Sequence, residues 1–368
     1  MFRFRVSKLV AGKGVRVKVG KELNKAGVKR ALLITGVNTG KTSFCRDVVE
    51  CIENEGIELL IWDGVRKEPD ETTVNAGYSF AREKDMDAIV AFGGGSVMDT
   101  AKLVNLCLSL KGRVERVVKN IPPALTLKPM FAIPTTFSTG SETTCAAVVK
   151  INGMKRGILH ESLLPDFAFV DWEIKAPRNV AASAGMDAVM HAFEAYTCIS
   201  SDKIEGGIYS GSSELTDTLA LKALKMLKHL PDYVNNGSRA REIALGSNMA
   251  GMAFGNAGVH FGHAASYAIS AKCDAPHGVC VASVGQALLE WLKNLDEVRD
   301  RVEEVENILN IDELRKRVGL PSLSELGIGR EDVEFLVERT MEVKRLIAMR
   351  PEIGREEATE IFMSALRY

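Results

Sequence analysis

The chain has 368 residues, of which 46% are hydrophobic and 26% charged, and its formal net charge is -1. That length exceeds one ordinary core, so two domains are expected, and so even a charge balance gives nucleic acid or an anionic membrane nothing to grip. No run approaches the roughly 20 apolar residues of a membrane span, and the basic start lacks the apolar stretch of a signal peptide. The seven scattered cysteines contain no CxxC pair and read as reduced thiols of a cytoplasmic protein.

Taken in chain order, the first half alternates short apolar runs with amphipathic stretches. Strands are predicted at Ala31–Ile34, Leu59–Trp62, Asp87–Phe92, Met130–Ile133 and Ala168–Val170, and helices at Ser43–Asn54, Glu71–Lys84 and Val97–Leu110. That alternation predicts an α/β domain with a parallel sheet. After Pro177 the pattern changes to long helical stretches, Ser183–Tyr196, Glu214–Leu230, Arg239–Phe254 and Val279–Lys293, with no convincing strand. The expected fold is thus an N-terminal α/β domain, 1–178, followed by an all-helical domain, 179–368, with ligands meeting in a cleft between them.

Ala88–Phe92 runs into Gly93-Gly94-Gly95-Ser96 and then a helix. Three glycines let a backbone approach a diphosphate, and the helix start adds free amides and the positive end of its dipole. Ser96 with Asp99 three residues on also reads as a helix N-cap. A second strand–turn–helix, Thr35–Thr42, imitates a triphosphate-binding loop, but that loop needs glycine at position 35, where Thr35 stands. The turn is better read as the seat of a dinucleotide's adenosine ribose. Gly36, Asn38, Thr39 and Lys41 put no carboxylate there, which favours NADP over NAD as cofactor.

Asp187 and His191 lie four apart in a helical stretch, one turn apart on one face, and His260, His263 and His277 follow. One carboxylate with several imidazoles suits a divalent ion such as Fe²⁺ or Zn²⁺. A single straight helix from His263 to His277 would separate them by about 21 Å, too far for one ion. The chain must therefore break, and Cys273-Asp274-Ala275-Pro276 supplies the break. His229 fits a helix terminus, and His160 has no partner visible in the sequence.

With these pieces in place the chain resembles the iron-containing (group III) alcohol dehydrogenase family over essentially its whole length. The resemblance is carried by Gly93–Lys102, Pro134–Glu142, Gly185–Ala192 and Pro276-His277-Gly278, in that order and spacing. It implies metal ligands at Asp187, His191, His263 and His277, and a diphosphate loop at Gly93, Gly94, Gly95 and Ser96. It also implies that Asp99 lies near the nicotinamide ribose, that Thr135, Thr136 and Thr139 line the cofactor groove, and that Lys155 reaches a ribose. A homodimer or larger homo-oligomer is implied too. One departure stands out: where the family has a second histidine four residues after the third ligand, this chain has Tyr267, with His260 three residues before the ligand. The stretch Asn256–His263 followed by Ser266-Tyr267 is similar to the hydroxyacid–oxoacid transhydrogenase branch.

The expected activity is metal-dependent hydride transfer between NADP or NAD and a small alcohol, aldehyde or ketone, with His260 or Tyr267 as proton relay. The alternatives are a hydroxyacid–oxoacid transhydrogenase, a metal-dependent lyase of dehydroquinate-synthase type, and a non-catalytic dinucleotide sensor.

Overall fold

The apolar runs of the first half are buried on both faces, which is the condition for a parallel sheet covered by helices. The computed structural model describes residues 3–66, 69–137, 139–204 and 207–368. Two compact units divide between Lys175 and Ala176; one comprises Arg5–Thr136 with Gly140–Lys175, and the other is chiefly Ala176–Tyr368.

The first unit carries β1 (Lys8–Gly12), α1 (Val19–Lys25), β2 (Arg30–Gly36), α2 (Ser43–Glu53), β3 (Glu58–Val65), α3 (Glu71–Ala81), β4 (Ala88–Gly93), α4 (Gly95–Leu110), α5 (Val114–Val117), β5 (Met130–Pro134), β6 (Ala146–Ile151), β7 (Met154–Leu159) and β8 (Phe167–Asp171). Six strands form a parallel sheet in the order β1-β8-β5-β4-β2-β3. The central strands β4 and β5 are buried throughout, whereas the edge strands β1 and β3 each leave several residues exposed. Apolar side chains on the two faces make two cores, one around Ile34, Val97 and Leu103 and the other around Leu33, Val48 and Phe92. β6 and β7 form a separate antiparallel hairpin, with Lys150 opposite Lys155. All five strands expected from the sequence are present, while β1 and the hairpin are additions; β1 is too exposed to show as an apolar run, and Lys150 and Arg156 interrupt the hairpin.

The second unit is built from α6 (Arg178–Thr197), α7 (Glu214–Leu227), α8 (Leu230–Asn236), α9 (Ala240–Ala257), α10 (Phe261–Cys273), α11 (His277–Leu292), α12 (Arg299–Ile308), α13 (Ile311–Arg317), α14 (Val333–Met341), α15 (Lys344–Ile347) and α16 (Arg355–Ala365). Helix α6 is buried on nearly every side from Ala181 to Thr197, as expected of a central helix with apolar residues all round. The long helices α7, α9 and α11 pack against it. α10 stops at Cys273 and α11 starts at His277, so the chain does break where His263 and His277 required. No helix among the described residues is long and apolar enough to cross a membrane.

Candidate metal centre and dinucleotide loop

Helix α6 presents Asp187 and His191 from its buried face, α10 presents His263 from its first turn, and α11 begins with His277. Asp187 is the hub. Its Oδ2 lies 3.9 Å from His191 Nδ1, and its Oδ1 lies 3.7 Å from His263 Nε2 and 3.5 Å from His277 Nε2. These separations exceed hydrogen-bond length yet match neighbouring ligand atoms each about 2.1 Å from a shared ion. Ligand atoms of Asp187, His191 and His263 all lie within 4.8 Å of one another. His191 Nδ1 and His263 Nε2 are buried with no hydrogen-bond partner among the described residues. Two such orphaned nitrogens beside a carboxylate are costly unless something binds them, so the donor set fits a divalent metal.

The rings are held from behind. His191 stacks on Phe254 at 3.9 Å between centroids and on His263 at 4.3 Å. Ser266 Oγ donates to the His263 carbonyl at 2.6 Å and lies 3.1 Å from His277 Nδ1. With that hydroxyl proton committed, His277 carries its hydrogen on Nδ1 and turns the Nε2 lone pair toward Asp187. His277 is also the open edge of the group, with 34% of its side chain exposed against 3% for Asp187.

Burial would raise the Asp187 carboxyl, but the His191, His277 and His263 imidazoles outweigh it and hold the carboxyl well below its ordinary range. Burial pushes the His191 imidazole down to about 3. His263 runs the other way: burial would lower it, yet Glu194 and Asp187 raise it to about 9.

Two further residues build this centre: Ser266, which the sequence offered only as part of the transhydrogenase-like stretch, and Glu194, which it did not single out. Glu194 is fully buried and its Oε1 lies 2.8 Å from His263 Nδ1. Its signal was available, since Asp187, His191 and Glu194 are spaced i, i+4, i+7 on one helix face. The two relay candidates separate. Tyr267 lies one turn beyond His263 on α10, its ring centroid 6.2 Å from that of His277. His260 is fully buried, with Nε2 2.9 Å from Thr197 Oγ1 and its backbone N–H donating to Glu194. Burial pushes its imidazole down to about 4 despite the Glu194 carboxylate, so it stays neutral.

In the first unit the strand–turn–helix is as expected, with one correction: the N-cap of α4 is Gly94, not Ser96, and no side chain caps it. Asp99 instead accepts from Ser141 Oγ at 2.8 Å and from the Val148 N–H at 3.0 Å, tying α4 to the start of the hairpin. The glycines are needed for close approach. A methyl on Gly93 would meet Val97 at 2.4 Å, and one on Gly94 would meet Thr136 Oγ1 at 2.9 Å. Thr135 is buried and donates its N–H to the Gly93 carbonyl; Thr139 and Lys155 are half-buried. Gly36 ends β2, Thr39–Lys41 form a single tight turn, and Thr42 caps α2. Asp63 of β3 abuts that turn: a Cβ on Gly40 would sit 3.5 Å from its Cβ. His160, with no partner visible in the sequence, in fact contacts Ser162 Oγ at 2.7 Å and the Pro122 carbonyl at 3.1 Å.

A parallel sheet with a glycine turn leading into α4, and a helical unit with three imidazoles gathered on Asp187, fit the class of metal- and dinucleotide-dependent oxidoreductases. The chain belongs to the iron-containing alcohol dehydrogenase family: residues 7–172 match the family model for iron-containing alcohol dehydrogenase, and 181–366 match its C-terminal model. It is 30% identical to the NAD-dependent methanol dehydrogenase of Bacillus methanolicus, across 90% of this chain and 91% of that one. It is 31% identical to the mitochondrial hydroxyacid-oxoacid transhydrogenase of Mus musculus, across 97% of this chain and 88% of the relative. Among solved structures, the iron-containing alcohol dehydrogenase of Thermotoga maritima superposes with a TM-score of 0.88 at 26% identity, covering 100% of both chains. A 1,3-propanediol oxidoreductase superposes with a TM-score of 0.87 at 26% identity, covering 99% of this chain and 100% of that one. The chain is therefore an enzyme, an alcohol oxidoreductase working with a nicotinamide dinucleotide and a metal.

Proposed function

We propose that Asp187, His191, His263 and His277 hold one divalent ion, Fe²⁺ or Zn²⁺, and that the enzyme interconverts a small alcohol with its aldehyde or ketone. The reading rests on one observation above others, the convergence of three imidazoles on Asp187 with two buried nitrogens otherwise unsatisfied. The ion, when bound, supplies Lewis acidity that lowers an alcohol's pKa and polarises a carbonyl, and the nicotinamide exchanges the hydride. Asp187 supplies the fixed negative charge, Ser266 holds His277 in its binding tautomer, and Phe254 keeps His191 in place by stacking. The Tyr267 phenol oxygen is the group proposed to pass the proton, while His260 serves as support.

On the cofactor side, Gly93, Gly94, Gly95 and Ser96 form the turn from β4 into α4, whose helix-start amides meet the diphosphate in this reading. Thr135, Thr136, Thr139, Asp99 and Lys155 belong to the groove and the nicotinamide ribose in the same reading. NADP(H) is favoured over NAD(H), because Gly36 leaves the adenosine turn without a carboxylate of its own and Lys41, Asn38 and Thr39 can meet a phosphate. Asp63 is the charge that preference must outweigh. A homo-oligomer in the cytoplasm completes the reading; seven free cysteines suit a reducing compartment.

A hydroxyacid–oxoacid transhydrogenase is the second reading, favoured by the match of 31% identity over 97% of this chain. Protein loaded with Fe²⁺ or Zn²⁺ and screened with alcohols, aldehydes and hydroxyacids decides between them. Turnover with free NADP⁺ or NAD⁺ and an alcohol supports the dehydrogenase. Turnover only between two organic substrates, with dinucleotide retained through gel filtration, replaces it with the transhydrogenase.

A further inference from the structure

We propose that Glu194 is a positioning residue for the metal: it fixes which nitrogen of His263 is free to bind the ion and brings the site to zero net charge. The proposal rests on the metal reading above.

A carboxylate with no exposed surface is expensive, and its contacts say what it is for. Oε2 accepts the His260 backbone N–H at 2.6 Å and lies 3.5 Å from the His263 N, while Oε1 lies 2.8 Å from His263 Nδ1. The first two contacts cap the N-terminus of α10 from a different helix. The third is not a cap. It obliges His263 to keep a hydrogen on Nδ1, so that Nε2, 3.7 Å from Asp187 Oδ1, is the nitrogen left to meet the ion. A metal-binding imidazole needs that tautomer. Two buried carboxylates, Asp187 and Glu194, also balance the charge of a divalent ion.

The backbone is shaped to admit this carboxylate. Chain reversal at Gly258, whose φ is +104°, ends α9 and turns the amides of His260 and His263 toward α6. A Cβ on Gly262 would sit 2.4 Å from Glu194 Oε1, so any side chain there drives the carboxylate from the imidazole. Gly262 thus offers a way to disturb the contact while leaving the Glu194 charge in the chain.

A cap alone would tolerate glutamine, which keeps one acceptor oxygen. The tautomer lock would not, because with the oxygen on the His260 N–H the amide NH₂ faces His263 Nδ1 and moves the ring hydrogen to Nε2. The test is competition between the apoprotein and a chromophoric chelator for Co²⁺, with the visible Co²⁺ spectrum as second readout. Circular dichroism checks that each apoprotein is folded. Parent is expected to bind one Co²⁺ per chain, and Glu194→Gln and Gly262→Ala to bind it roughly 10- to 100-fold more weakly with altered spectra. If Glu194→Gln fails to fold, Gly262→Ala decides alone. Parent affinity and spectrum in the folded variants overturn the proposal while leaving the metal site intact. A parent that binds no Co²⁺ overturns the metal reading, and this inference with it.

Discussion

Gly278 lies so close to Ser183 that a methyl group on it would stand 2.0 Å from the Ser183 carbonyl oxygen. That backbone approach seats the start of α11 against α6 and brings His277 within 3.5 Å of Asp187. Gly278→Ala is expected to push α11 away, cost about 1–3 kcal/mol of stability and weaken metal binding at least tenfold. Gly185→Ala is the control. Because α6 itself carries Asp187 and His191, the two variants differ in degree: the Gly185 methyl would strike the flexible Leu230 side chain at 2.1 Å, which can yield, whereas the Gly278 methyl meets backbone, which cannot. Urea unfolding and metal competition on both variants check this; equal metal loss in the two would mean general loosening.

Tyr267 and His260 are expected to behave differently. Tyr267→Phe keeps the ring beside His277 and removes the phenol, so turnover should fall and one limb of the pH–rate profile should shift. His260→Gln should lower stability while leaving the limbs where they are, because His260 is buried behind Glu194. A profile unchanged by Tyr267→Phe rules that phenol out as the relay.

At the turn proposed to seat the adenosine ribose, a Cβ on Gly36 would meet nothing nearer than 3.5 Å, so Gly36→Asp should fold normally. It should reduce kcat/KM with NADP(H) far more than with NAD(H), because its carboxylate repels the 2′-phosphate. Asp63→Asn should act in reverse and raise NADP(H) use. The ratio of kcat/KM values for the two cofactors reads both effects, and a clear NAD(H) advantage in the parent would refute the preference.

Lys102 is fully buried and its ammonium donates to Ser141 Oγ, Thr144 Oγ1 and the carbonyls of Thr144 and Ala146. Burial pushes its pKa down to about 8 although Asp99 opposes the shift. Between that value and the ordinary lysine pKa the unfolded chain binds more protons than the folded one. The lysine's contribution to stability therefore rises as pH climbs through this window. Lys102→Met should cost about 3 kcal/mol or more below pH 8, through two abandoned carbonyls and a lone Asp99. The gap between parent and variant should widen from pH 8 to 10. A gap that stays constant across that range would contradict the shifted lysine.

Much of this was legible in the sequence, and the rest was hidden for physical reasons. Buried strands such as Ala88–Gly93 announce themselves because both faces are apolar. The edge strand Lys8–Gly12 does not, since its exposed residues remove the apolar run. Asp187 and His191 could be paired through helical spacing alone, and the break before His277 could be deduced from distance. What spacing could not show was that Asp99 turns away from the helix start to Ser141 and Val148, or that Glu194 stands behind His263. Both depend on a contact between residues distant in the chain.

The most direct test is metal reconstitution. Protein stripped of metal is titrated anaerobically with Fe²⁺ or Zn²⁺ while alcohol-dependent reduction of NADP⁺ or NAD⁺ is followed. Activity should rise linearly and stop at one ion per chain, and Asp187→Asn or His277→Ala should neither hold the ion tightly nor turn over. Full activity in metal-free parent, or in metal-free His277→Ala, would contradict the account.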